Sequence, residues 1–216
     1  MIKVSAFKWV PDFAQGLVRD LRVRWALEEA GWPYEIRLIG PEDQESEAYR
    51  EKQPFGQVPA YEERGQVLFE SGAIVLHIAE RTEALMPSDV EQRAKTVTWL
   101  FAAMNTMEPA FDGLADLDLF HPGQAWALAR RPEAEAFVKR RLTELASYLA
   151  GDDYLVAGRF TAADLLMTTV LRNLRHTDLV TADPVLGAYL RRCEARPCFQ
   201  KALADQMATF EKYAPA

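Results

Sequence analysis

The chain has 216 residues, a formal net charge of −7, 49% hydrophobic residues and two cysteines. That length supports one large or two small cores, and the acidic balance excludes nucleic acid as the main partner, because phosphate binding needs a basic face. No apolar run reaches the roughly 18 residues of a membrane span, so no membrane segment is expected, and Cys193 and Cys198 make no disulfide framework, which points to a reducing, cytoplasmic setting.

The first residues, MIKVSAFKWVPDF, lack a continuous apolar core and a small-residue cleavage site, so they read as a strand over Ile2 to Trp9 and not as a signal peptide. Pro11 breaks it. The periodicity predicts a helix from Ala14 to Ala30, closed by Gly31, a residue that tolerates positive φ. At about 100° per residue, Ala14, Leu17, Val18, Leu21 and Trp25 share one face, and Val23, Ala26, Leu27 and Ala30 share another. Asp20, Arg24 and Glu28 form a third strip, expected to be solvated. Two apolar faces imply cover on two sides, by a sheet and by another element.

A second strand is expected over Tyr34 to Ile39, followed by a polar stretch to Lys52. A third runs from Val58 to Glu62, a turn falls at Arg64-Gly65, and a fourth covers Gln66 to Phe69. Ser71 to Arg81 then reads as a helix. This βαβ unit followed by ββα predicts a small α/β domain with a mixed sheet. From Glu91 the pattern is helical throughout, over Gln92–Ala110, Gly123–Arg130, Glu133–Ala150, Ala162–Arg175, Pro184–Ala195 and Phe199–Lys212, with Pro109, Pro122, Pro132, Pro184 and Pro197 as punctuation. The expected division is therefore an α/β domain at 1–82, a linker at 83–90 and an all-α domain at 91–216.

Four features bear on chemistry. Val58-Pro59 places a proline where a ladder donor is lost; it is either an ordinary edge-strand trans proline or a cis bond whose Val58 backbone groups pair with an extended ligand. Glu70-Ser71 opens an apolar helix, either as a simple cap or as an anion site beside a carboxylate that takes an ammonium. Thr161 with Asp164 is a capping box, with Phe160 and Leu165 as a staple, and carries no chemistry. Arg19 falls on an apolar face and needs a partner there, either a ligand thiolate or carboxylate or a second-domain glutamate. His77, His121 and His176 are dispersed, no metal-ligand spacing occurs, and no metal is expected.

In order and spacing these segments resemble the cytosolic glutathione S-transferase family over nearly the whole chain. Pro54-x-Gly56-x-Val58-Pro59-Ala60 looks like the family's cis-proline loop, and Glu70-Ser71 looks like its pair for the γ-glutamyl end of glutathione. VRWALEEAG (Val23–Gly31) is similar to the end of its first helix, Thr161-x-x-Asp164 to its capping box, and ARPCFQKAL (Ala195–Leu203) to its late helix. The resemblance implies a thioredoxin-like N-terminal domain, an all-helical C-terminal domain and a homodimer. It implies glutathione as co-substrate, held by Gln57, Val58, Pro59, Glu70 and Ser71, and a detoxifying transfer to a small apolar electrophile.

The catalytic position departs from the family pattern. The family places a Tyr, Ser or Cys between first strand and first helix, whereas residues 8–17 here, KWVPDFAQGL, contain no Tyr, Ser, Thr or Cys. Ser5 lies too early. A thiol near pKa 8.5 needs only a nearby cation or a few donors to ionise at neutral pH, so Arg19 helped by Gln15 is the expected substitute. The electrophile is expected between the domains, against Trp9, Phe13, Met104, Met107, Glu108 and Phe111. The alternative is a non-catalytic glutathione-binding or protein-interaction module on the same scaffold.

Overall fold

The structure, a computed structural model, describes residues 1–215. Those residues form two compact units, Met1–Met86 with 196–215 and Pro87–Ala195. The break at Met86 and Pro87 falls within residues 83–90, and the grouping differs from the sequence expectation only at the C-terminal stretch. The last helix, expected within 91–216, packs with the first unit for reasons given below.

The first unit is a four-stranded sheet in the order β2-β1-β3-β4. β1 (Ile2–Phe7) runs parallel to β2 (Tyr34–Ile39) in register Ile2 with Tyr34 through Phe7 with Ile39. β3 (Ala60–Glu63) is antiparallel to β1, with Val4 opposite Tyr61, and to β4 (Gln66–Phe69), with Ala60 opposite Phe69. Arg64 and Gly65 turn the hairpin at φ 49° and 83°, the paired positive φ of a tight hairpin turn. The mixed α/β sheet expected from the sequence is present. β1 ends at Phe7, not Trp9, and β3 starts at Ala60, so Val58-Pro59 lies outside the ladder, where the missing proline donor costs nothing.

The first helix is shorter than its periodicity suggests. A 3-10 turn covers Asp12–Ala14, Gly16 takes φ 76°, and α1 runs only over Asp20–Ala30, stopped by Gly31 at φ 67°. Gly16 is the physical reason: a left-handed residue cannot continue a right-handed helix. α1 packs on β1, on α4 (Ser71–Ala79) and on α10 (Pro197–Lys212), so its two covered sides are the sheet layer and the last helix.

That packing overturns the solvated strip expected at Asp20, Arg24 and Glu28. Asp20 is fully buried and Arg24 is 3% exposed, joined Nε to Oδ2 at 2.7 Å. Gln206 of α10 donates to Asp20 Oδ1 at 2.7 Å and to the Val18 carbonyl at 3.2 Å. Phe199 meets the Trp25 ring edge-on at 4.8 Å, and Arg196 forks onto Glu29 at 2.6 and 2.7 Å. A buried carboxylate requires such partners. They are the bonds that draw 196–215 into the first unit.

The polar stretch before Lys52 forms two short helices, α2 (Pro41–Glu45) and α3 (Glu47–Arg50). Tyr49 of α3 is 3% exposed and packs with Ile39, Val58 and Ala60.

The second unit is helical: α5 (Val90–Phe101), a π-helical stretch at Ala102–Met107, α6 (Glu108–Ala115), a second π stretch at Asp116–Phe120, α7 (Ala125–Leu149), α8 (Ala162–Leu171) and α9 (Pro184–Glu194). Two prolines expected to end helices do not. Pro109 follows a π stretch that absorbs its missing donor, and Pro132 lies inside α7. The carbonyl that loses its usual donor at Pro132 is that of Leu128, a residue that is 58% exposed. Asp164 anchors α8 as expected of the capping box, accepting from the Thr161 N–H at 2.9 Å.

Candidate active site

The segment 53–60 enters the site from β2 through α2 and α3, and the Val58–Pro59 bond is cis. Its neighbouring backbone groups are satisfied by side chains. Gln53, 2% exposed, accepts from the N–H groups of Phe55 and Gln57 at 2.7 and 3.2 Å, and Gln44 donates to the Gly56 carbonyl at 2.8 Å. Tyr49 donates to the Gln57 carbonyl at 2.6 Å. Burial pushes the Tyr49 phenol above its ordinary range, so it keeps that proton. Val58, only 7% exposed, has a hydrogen-bond partner at neither its N–H nor its C=O. A nearly buried donor and acceptor without partners is uncommon, and this pair fits an extended peptide.

The anion side of the site is built where β4 meets α4. Glu70 is exposed and takes φ 68°, ψ 111°, a left-handed conformation unusual for a residue with a Cβ. The turn it makes opens α4 at Ser71. Arg22 of α1, 3% exposed, donates from Nη1 to the Ser71 hydroxyl at 3.2 Å. A helix start, a hydroxyl and a guanidinium therefore converge, and each favours a carboxylate. Arg22 was missed in the sequence reading. Its angle on α1, between Val18 and Ala26, offered the same signal as Arg19, a charge among apolar residues that needs a partner, but which partner it meets depends on α4 lying across it.

The segment between β1 and α1 carries the expected catalytic pair. Arg19 is exposed and stands at the N-cap of α1, not on an apolar face inside it, because the helix starts six residues later than expected. Gln15 donates from Nε2 to the Val10 carbonyl and to Asp12 Oδ1, both at 3.1 Å. Both amide protons are spent inside the loop, so Gln15 braces it.

Trp9 is half-buried and lines two crevices of the first unit. One, of about 370 Å³, lies between Phe7–Pro11 and Ile39–Pro41 with Gln44. The other, of about 470 Å³, sets Trp9, Asp12 and Gln15 against Met207, Phe210 and Glu211 of α10. Met207, Phe210 and Glu211 were also missed; their spacing of three and four on the last helix was the available signal. Phe13 is 39% exposed. Met104, Met107, Glu108 and Phe111 belong to the second unit, where Met104 is half-buried and Met107 and Glu108 are 5% and 4% exposed. Phe111 is fully buried, so it is a core residue with no surface left for an electrophile. Among the described residues no group of three or more His, Cys, Asp or Glu is placed to hold a metal ion, and no helix is long and apolar enough to cross a membrane.

Residues 15–80 match the family "Glutathione S-transferase, N-terminal domain", and residues 124–197 match "Glutathione S-transferase, C-terminal domain". The chain is 31% identical to Glutathione S-transferase 3 of Zea mays over 204 residues, which is 85% of this chain and 88% of the relative. It is similar to a glutathione transferase of Pseudomonas putida solved with one glutathione disulfide per subunit, at 26% identity and a TM-score of 0.79 over 94% of this chain and 90% of that one. It is likewise similar to a Burkholderia graminis glutathione transferase with two glutathione molecules per subunit, at 25% identity and a TM-score of 0.81 over 94% and 87%. With both domains matched and a relative above 30% identity along most of its length, this chain belongs to the glutathione S-transferase family.

Proposed function

We propose that the first unit binds glutathione along Val58 and activates its thiol as a thiolate for transfer to an apolar electrophile. The observation that carries the reading is the unpartnered N–H and C=O of the nearly buried Val58, close in sequence to a carboxylate cradle at Ser71. The cysteinyl part of glutathione pairs with Val58 as an added strand. Its γ-glutamyl carboxylate takes the Ser71 hydroxyl and the start of α4, backed by Arg22, while Glu70 takes the ammonium. Gln57 is exposed beside Val58 and holds the tripeptide's side. The relatives solved with glutathione or its disulfide support this ligand.

The thiolate is stabilised by the Arg19 cation and the N-terminal field of α1, since the segment 8–17 has no hydroxyl to offer. The electrophile lies in the crevice of Trp9, Met207 and Phe210, whose aromatic and thioether walls adapt to varied apolar bodies. Sulfur attacks the electrophilic carbon, the C–S bond forms, and the displaced group leaves with the electron pair. Proximity and thiolate stabilisation supply the rate. Two free cysteines support a cytoplasmic setting for this detoxifying reaction, and the family supports a homodimer.

Titrating the complex with glutathione against pH, following the ultraviolet absorbance of the thiolate, tests the reading. A bound thiol pKa well below the free value is expected, and Arg19→Ala should raise it; an unshifted pKa in the wild type overturns transferase chemistry. The missing hydroxyl favours a second reading, a non-catalytic glutathione-binding module, which predicts binding with that unshifted pKa.

A further inference from the structure

Ser5 is the one hydroxyl-bearing residue among residues 1–17, yet it is 4% exposed and fully engaged. Its Oγ accepts from the Ala60 N–H at 2.7 Å and lies 2.8 Å from Tyr49 Oη. Tyr49 Oη in turn lies 2.6 Å from the Gln57 carbonyl. The proton positions follow from valence. An amide N–H only donates, a carbonyl only accepts, and each hydroxyl owns one proton. The Tyr49 proton therefore goes to Gln57, and the Ser5 proton goes to Tyr49. The relay runs one way, from Ala60 N–H through Ser5 and Tyr49 to Gln57 C=O.

The two ends of that relay are the residues flanking Val58-Pro59. Gln57 is also held at its N–H by Gln53, so its peptide groups on both sides are fixed from within. Neither hydroxyl retains a proton for a ligand, which removes Ser5 from the chemistry of the thiol. Val58, between the clamped positions, alone keeps both backbone groups free in the stretch Gly56–Val58.

We propose that Ser5 and Tyr49 are positioning residues for glutathione: their hydroxyl relay holds Gln57 and Ala60 so that the Val58 N–H and C=O stand ready to pair with the cysteinyl backbone. The inference rests on the functional reading above. It adds two residues that touch neither the ligand nor the reacting atoms and act through the loop. The Tyr49 ring also packs with Ile39, Val58 and Ala60, a place phenylalanine fills equally well, so removing the hydroxyl isolates the relay from the packing.

The test uses the whole protein and the variants Tyr49→Phe, Ser5→Ala, the double variant, and Ser5→Thr. Glutathione affinity is read by calorimetric titration, and steady-state rates are read with glutathione and a chloronitrobenzene acceptor. The relay predicts that Tyr49→Phe and Ser5→Ala each raise the Kd and KM for glutathione about tenfold, the scale of one buried hydrogen bond lost. The KM for the acceptor and kcat at saturating glutathione should stay within about twofold. The double variant should lose no more than the larger single effect, since either break opens the same relay, and Ser5→Thr should restore binding. A purely structural role lowers the active fraction instead, so kcat falls while KM for glutathione stays, and that result overturns the proposal. Equal glutathione affinity in wild type and Tyr49→Phe overturns it as well. Wild-type protein that fails to bind glutathione overturns the functional reading and this inference together, which separates the two failures.

Discussion

Asp164→Ala is the sharpest probe of the second unit. The carboxylate is fully buried and accepts four donors: the Leu155 N–H at 2.8 Å, the Thr161 N–H at 2.9 Å, the Thr161 hydroxyl at 3.0 Å and the Tyr189 hydroxyl at 3.0 Å. Only the Thr161 contacts are helix capping; the others tie α8 to the preceding loop and to α9. A lost cap alone costs about 1 kcal/mol. Orphaning four buried donors, at about 1 to 1.5 kcal/mol each, costs roughly 4 to 6 kcal/mol. For a chain of this length that corresponds to a fall in Tm of roughly 10 to 20 °C. Asp164→Asn keeps one acceptor oxygen and should lose about half as much. Circular dichroism with heat and urea measures both variants. A loss near 1 kcal/mol for Asp164→Ala would refute the argument and reduce the residue to a cap. Burial also pushes the Asp164 carboxyl above its ordinary 3.8. A carboxyl with a raised folded pKa binds its proton more tightly when folded, so its contribution is greatest at low pH and falls as pH rises through the folded value. Asp164→Asn should flatten that slope.

Three other outcomes are expected. Arg24→Met strands the fully buried Asp20 carboxylate and should cost about 3 to 5 kcal/mol, while Arg24→Met with Asp20→Leu should recover most of it; urea unfolding that shows equal losses for the two would refute the pairing argument. The Arg81 guanidinium, bonded to Glu63, holds that carboxyl down at about 2 from 4.5. Its contribution is complete above 4.5 and is lost as pH falls toward 2; the pair is near the surface, so Tm against pH should differ only slightly between wild type and Glu63→Gln, by less than about 1 kcal/mol. Ser71→Ala should raise the Kd for glutathione about tenfold by calorimetry, and an unchanged Kd would remove Ser71 from the carboxylate cradle.

The sequence by itself determined the elements that rest on local chemistry. Alternation and turn residues placed β2, β3 and β4 within about two residues, because period-two burial and the Arg64-Gly65 turn are written in neighbouring side chains. Gly31 and the Thr161–Asp164 box marked helix ends for the same reason, and the order of Pro59, Glu70 and Ser71 pointed to the segment where glutathione binding is proposed. What depends on partners distant in the chain was decided only by tertiary structure. The apolar spacing of residues 14–30 concealed that Gly16 breaks the helix, and the charged strip at Asp20 and Arg24 looked solvated until α10, some 180 residues away, covered it with Gln206. Pro132 stays inside α7, on a stretch where Leu128, four residues before it, is exposed. Arg22 beneath Ser71, and the Ala60–Ser5 and Ser5–Tyr49 links of the relay, join residues separated by 44 to 55 positions. A hydrogen bond across such separations leaves no periodic trace, since only the packing of α1, α3 and α4 on the sheet brings its ends within 3 Å or so of each other.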